Sequence, residues 1–221
     1  MEQKLSEATV GTSHFLQEHS VMLRIWHWLT FLLISASILT VLLASTILEP
    51  RNNAPLVQKQ LKEKGLDISN EQAWPVAHAF EDKIWDVHKI IGIIIAFLLL
   101  SRIIIEFAQP REERIRSRLK NALQLFRTTG AGRADYRHYL IVKWTYLAFY
   151  LLLIFMATTG LSLAFGKNLG IPREIHRTIK DIHGAGQWVM YTFVLFHVGG
   201  VILADLGKAK GLVSGMIHGN K

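Results

Sequence analysis

Four stretches of this chain, about Ile25–Leu48, Ile84–Phe107, Leu140–Phe165 and His183–Ala204, are each long and apolar enough to cross the roughly 30 Å hydrocarbon core of a bilayer. A segment surrounded by lipid must satisfy its own backbone hydrogen bonds, so all four are expected to be α-helices and the fold an all-α, integral membrane four-helix bundle. Half of the residues are apolar, too many for an ordinary soluble domain of 221 residues. No internal repeat or low-complexity tract divides the chain, so residues 1–221 read as a single membrane domain. The first twenty residues are polar and mixed in charge, without the apolar core and small-residue cleavage site of a signal peptide. They are expected to form an amphipathic cytoplasmic arm, with the first span inserting the protein.

Charge sets the orientation. Nine Lys or Arg against four acids lie between Glu106 and Lys143, including the run REERIRSRLK, whereas residues 49–83 hold five basic and six acidic residues. The positive-inside rule places the middle connection and both termini in the cytoplasm, with the long loop 49–83 and the connection 166–182 outside. A net charge of +8 distributed in this way points to anionic lipid headgroups rather than nucleic acid. Within the outer loop, PLVQKQLKEKGL sets Leu56, Leu61 and Leu66 among charges, the pattern of a short helix at the interface. Arg111–Arg127 has the pattern of a basic amphipathic helix on the cytoplasmic face.

The ten histidines are sorted by this topology. His27 lies near the cytoplasmic start of the first span and His88 near the outer start of the second. His183 opens the last span from outside, and His197 lies deeper. Fourteen residues separate that last pair, which returns a helix to within roughly 40° of its starting face about 21 Å further along. Imidazole is unsuited to a lipid-facing surface, and ionisable groups inside spans mark candidate functional sites. Matching depths gives an outer pair, His88 with His183, and an inner pair, His27 with His197. Zinc would ask for three or four ligands at one place. Two pairs at two depths suit two six-coordinate haem irons, each with an imidazole on either side of the macrocycle. The chain has no cysteine, which excludes disulfides, Cys-ligated iron–sulfur clusters and C-x-x-C-H attachment, so such haems would be non-covalent, b-type groups.

The neighbours of the histidines carry weaker signals. Gly92, one turn after His88, would let a helix approach a porphyrin closely, or serve ordinary helix–helix contact; Gly160, Gly184, Gly186, Gly199 and Gly200 share that ambiguity. Arg102 lies on the His88 face at the inner depth, where a haem propionate would be a suitable anion. Arg24 stands beside His27 in the same role, or snorkels to headgroups. Lys89 and Lys180 suit interfacial anchoring or would neutralise the propionates of an outer haem, and Trp26, Trp28, Trp85 and Trp188 fall at the expected membrane boundaries. The other histidines (His14, His19, His78, His138, His176 and His218) sit in loops, arms or helix ends, where solvation is the ordinary state.

These residues resemble a known family. RIWHWLT around His27, VHKIIGIIIAFLLLSRI with His88, Gly92 and Arg102, the Thr159-Gly160 pair, IHGAGQW with His183, FHVGG with His197, and the tail GLVSGMIHGNK are similar to the di-haem cytochrome b subunits of membrane-bound nickel–iron hydrogenases, within the bacterial cytochrome b561 family. The resemblance covers all four spans and implies haem ligation by His27, His88, His183 and His197. It also implies quinone chemistry near one membrane face and an external redox partner, such as an iron–sulfur or cytochrome c subunit, at the other.

The expected function is therefore transmembrane electron transfer through two b-type haems, as a subunit of an oxidoreductase complex. Arg24, Trp26, Trp28 and His138 form a candidate quinone surface on the cytoplasmic side. A second possibility is a partner-free superoxide–quinone oxidoreductase, with Lys167, Arg173, Arg177 and Lys180 as a cationic funnel over the outer haem. A third is a haem-free metal or proton transporter.

Overall fold

A computed structural model describes residues 21–108, 117, 120, 123–124, 133–207 and 211–219, without the side chains of residues 133–139, 142 and 143. The N-terminal arm, the Arg111–Arg127 helix and most of the basic connection lie outside the described residues. The rest forms six helices in chain order: α1 Val21–Ser45, α2 Pro50–Glu63, α3 Asn70–Ala108, α4 Arg133–Ala164, α5 Arg173–Leu206 and α6 Leu212–His218. Four of these, α1, α3, α5 and the Trp144–Ala164 part of α4, are long and apolar enough to cross a membrane. The chain is an all-α membrane bundle, as its apolar runs require.

α3 begins at Asn70, well before the expected start of the second span at Ile84, and α5 begins at Arg173 rather than His183. Apolarity marks the thickness of the bilayer, whereas helices continue through any good helix formers, and residues 70–83 and 173–182 supply them. The start of α3 is fixed by a capping box: Ser69 Oγ accepts from the Gln72 amide at 3.3 Å, and Gln72 Oε1 accepts from the Ser69 amide at 3.0 Å.

The expected short helix in the outer loop exists as α2. It does not lie alone at the interface: it folds back on the extension of α3 as a helical hairpin. Ala54 of α2 and Ala73 and Ala77 of α3 are fully buried against one another, small side chains that let the backbones close up. Glycine ends α2. Gly65, at φ 82°, donates to Lys62 O, and Leu66 donates to Leu61 O, both at 3.0 Å, the paired bonds of a Schellman cap. Leu56 and Leu66 remain exposed on this hairpin.

α1 packs along α3, α3 against α4, and α4 along α5, while α6 turns back towards the first turn of α1. Asp205 starts that turn by accepting from the amides of Gly211 at 2.9 Å and Val213 at 3.3 Å. The core holds at least one residue from each spanning helix: Ile34, Ile95, Leu99, Leu153 and Met190, all buried. Met190 lies midway between His183 and His197 in sequence, so this apolar layer sits at mid-depth, with one histidine pair on each side.

Candidate functional site

The bundle brings the four span histidines together as two facing pairs. At the end bearing the α2–α3 hairpin, the rings of His88 on α3 and His183 on α5 have centroids 6.5 Å apart. At the end bearing the α6 tail, His27 on α1 faces His197 on α5 with centroids 6.3 Å apart. α3 meets α5 across the first pair and α1 meets α5 across the second.

Both spacings have a chemical meaning. Two metal–imidazole bonds of about 2 Å, with about 1.2 Å more from each ligating nitrogen to its ring centre, set trans imidazole centroids about 6.4 Å apart. Direct stacking or hydrogen bonding between the rings would bring them closer. Among the described residues no three His, Asp or Glu side chains converge as a metal-binding group. Two facing imidazoles would suit iron in a macrocycle that supplies four nitrogens of its own.

The rings of the hairpin-end pair are held by hydroxyls. Thr40 Oγ1 lies 2.9 Å and Ser37 Oγ 3.4 Å from His88 Nδ1, and Thr159 Oγ1 lies 2.7 Å from His183 Nδ1. Trp85 stands edge-on to His88 at 5.6 Å, its Nε1 donating to Glu81 at 2.9 Å. Gly160 makes room for the other ring, since a Cβ there would sit 3.2 Å from His183 Cε1. One turn beyond His183, Gly186 lets α4 and α5 touch: its Cβ would fall 2.6 Å from Met156 Sδ and 2.8 Å from Phe155 Cε1.

The tail-end pair sits among aromatic rings. His197 stacks on Phe193, centroids 5.9 Å apart and planes 8° apart, and Phe193 stacks in turn on Phe149 at 5.0 Å. His27 meets the edge of Trp28 at 5.4 Å. Two guanidiniums lie on the same side of the core. Arg24 donates from Nη1 to Ile217 O at 3.2 Å, and Arg102 pairs with Glu106 at 3.7 Å. The Nε of each is buried without a hydrogen-bond partner among the described residues, so each keeps a donor for an anion.

A family model for prokaryotic cytochrome b561 matches residues 18–219, nearly the whole chain. The chain belongs to the prokaryotic cytochrome b561 family. It is a bacterial membrane cytochrome that carries electrons by means of b-type haem, and the hydrogenase-type resemblance read from the sequence fits this family. No curated protein and no solved structure matches the chain.

The structure divides the other residues singled out in this cytochrome. Among the described residues, Gly92, Gly184, Gly199 and Gly200 have no atom of another helix within 4 Å of a would-be Cβ. The candidate quinone cluster separates. Trp26 Nε1 donates to Leu98 O at 3.1 Å and its ring lies by Tyr150, whereas Trp28 Nε1 donates to Met216 O at 3.0 Å on the tail. The side chain of His138 lies outside the described residues. Of the boundary tryptophans, Trp188 is the exposed one; Trp26, Trp28 and Trp85 make internal hydrogen bonds. His176 is packed over Gly166 with Nε2 3.4 Å from Leu163 O, and His78 pairs with Glu81 at 3.1 Å, so both have structural partners. Thr40 and Ser37 went unnoticed in the sequence; a hydroxyl facing a neighbouring helix carries no local signal.

Proposed function

We propose that this cytochrome carries electrons across the membrane through two b-type haems, between an external redox protein and the quinone pool. The observation that carries the reading is the paired spacing of 6.5 Å and 6.3 Å at two depths of one bundle. His88 and His183 would hold one haem and His27 and His197 the other, with Gly92 clearing the approach of α3. When bound, b-type haem supplies one-electron ferric–ferrous chemistry, and filling both axial positions favours electron transfer over oxygen binding. The free Nε donors of Arg24 and Arg102 suit propionates, since each guanidinium keeps its charge in a low-dielectric setting.

The hairpin end takes the outer side, following the basic excess between Glu106 and Lys143. An external iron–sulfur or cytochrome c subunit would meet the α2–α3 hairpin there. Quinone belongs at the tail end, in a groove of about 340 Å³ lined by Arg24, Ile25, Trp28, Leu29, Met216 and Ile217. Ile25 and Leu29 are exposed, so the groove opens sideways to where acyl chains would lie, the route by which a lipid-soluble quinone arrives. Trp28 offers a stacking face and Arg24 a hydrogen-bond donor for a carbonyl oxygen.

Pyridine haemochrome analysis of the purified chain tests the reading: two haems per polypeptide are expected, and one or none overturns it. A quinone-site inhibitor should protect Trp28 rather than Trp85 from photolabelling. Lys167, Arg173 and Lys180 are exposed where α5 leads to His183, which favours superoxide as an alternative electron donor. Rapid haem reduction by superoxide without a partner would select that reading.

A further inference from the structure

The protons around the hairpin-end histidines can be assigned from distances alone. Thr40 is buried, and its Oγ1 lies 2.6 Å from Ser37 O. A carbonyl oxygen can only accept, so the single hydroxyl proton of Thr40 is committed to it. The reverse arrangement would set two lone pairs against each other at 2.6 Å. Towards His88 Nδ1, at 2.9 Å, Thr40 is left as an acceptor. Thr159 repeats the pattern on another helix. Its Oγ1 donates to Phe155 O at 2.8 Å and accepts from His183 Nδ1 at 2.7 Å. Both rings therefore carry their proton on Nδ1 and their lone pair on Nε2.

We propose that Thr40 and Thr159 are positioning residues for the hairpin-end haem: they lock His88 and His183 as Nδ1–H tautomers, leave Nε2 for iron, and set the potential of that haem through neutral hydroxyl acceptors. This rests on the reading of His88 and His183 as axial ligands. Back-bonding of a hydroxyl to the preceding turn is common in apolar helices and by itself means nothing. Thr145, Thr158 and Ser162 bond to carbonyls in that way and meet no imidazole among the described residues. Thr40 and Thr159 do both, one on each side of the same site. Gly160 completes the arrangement, since the residue beside Thr159 must be small for the His183 ring to reach its hydroxyl. A proton shared towards an acceptor makes the imidazole a stronger donor to metal and favours the ferric state. A neutral hydroxyl does so less than a carboxylate would, which keeps the reduced haem accessible.

Thr159→Val and Thr159→Ser in the full haem-loaded chain test the proposal by redox titration and haem retention. Valine keeps the shape and removes the acceptor. It should shift the ferric-to-ferrous affinity ratio of one haem about tenfold, a rise of about 59 mV in a one-electron potential. It should also loosen that haem about tenfold or more, leaving the other unchanged. Serine restores the hydroxyl and should return both values towards wild type. Thr40→Val should act less, because Ser37 Oγ, 3.4 Å from His88 Nδ1, can take the proton over; Ser37→Ala with Thr40→Val should match Thr159→Val. Unchanged potential and retention in Thr159→Val, or a serine variant displaced as far as valine, overturns the proposal. His183→Ala separates the two levels. Retention of both haems would refute axial ligation itself, whereas loss of one with an inert Thr159→Val refutes only the role of the threonines.

Discussion

The two ends of the bundle seat a histidine pair at nearly the same spacing by different physical means. At the hairpin end the rings are fixed by hydrogen bonds from Nδ1 to Thr40 and Thr159, contacts that are directional and select one tautomer. At the tail end the rings are flanked by Phe193 and Trp28, contacts that hold position. If each pair holds a haem as proposed, the hairpin end would be tuned through its ligands. The tail end, with the spare Nε donors of Arg24 and Arg102, would be tuned through charge around the cofactor edge. Equal spacing thus conceals unequal control, and equal potentials are not expected.

That contrast can be broken outright by removing one imidazole. His197→Ala should abolish the tail-end haem and leave the hairpin-end haem spectrally intact, halving the haem content measured by pyridine haemochrome. Loss of both would mean the ends are not independent. Gly160→Val comes next: even its Cβ would press on His183 Cε1 at 3.2 Å, so one haem should be lost or turned high-spin, seen in low-temperature spectra. Phe193→Leu should act at the other end and more weakly. Loss of ring stacking costs about 0.5–1.5 kcal/mol, read as several-fold faster release of the tail-end haem alone. The smallest effect belongs to Ser69→Ala. Loss of this cap should cost about 1 kcal/mol locally, raising amide exchange in the α2–α3 hairpin without altering either haem spectrum.

The sequence carried the coarse plan because membrane burial writes it in plain form. Length and apolarity gave the spans, charge gave an orientation, and depth alone paired His88 with His183 and His27 with His197. The extension of α3 to Asn70 was not legible from hydropathy, since its outer turns are polar, although the Ser69–Gln72 box was a local signal that could have found it. The partners of Trp26 and Trp28 were not legible at all. They are neighbours on one helix, yet one meets Leu98 and the other the returning tail at Met216, a choice made by helix rotation and by how α6 folds back. Thr159 was visible beside Gly160, but its hydroxyl acquires meaning only once α4 is set against α5.

The buried layer of Ile34, Ile95, Leu99, Leu153 and Met190 has a consequence for energy conversion. None of these five side chains can accept or release a proton, and a hydrocarbon slab of that kind is an insulator to ions while an electron can tunnel through it. An electron passing between the two ends would therefore travel unaccompanied, and its compensating proton would be taken up on whichever side the acceptor is reduced. Each transfer then moves net charge through the membrane field, at about 2.3 kcal/mol for every 100 mV. Under the proposed direction, inward, an inside-negative potential opposes every step. A dry middle would make this small cytochrome a generator of membrane potential as well as a conduit.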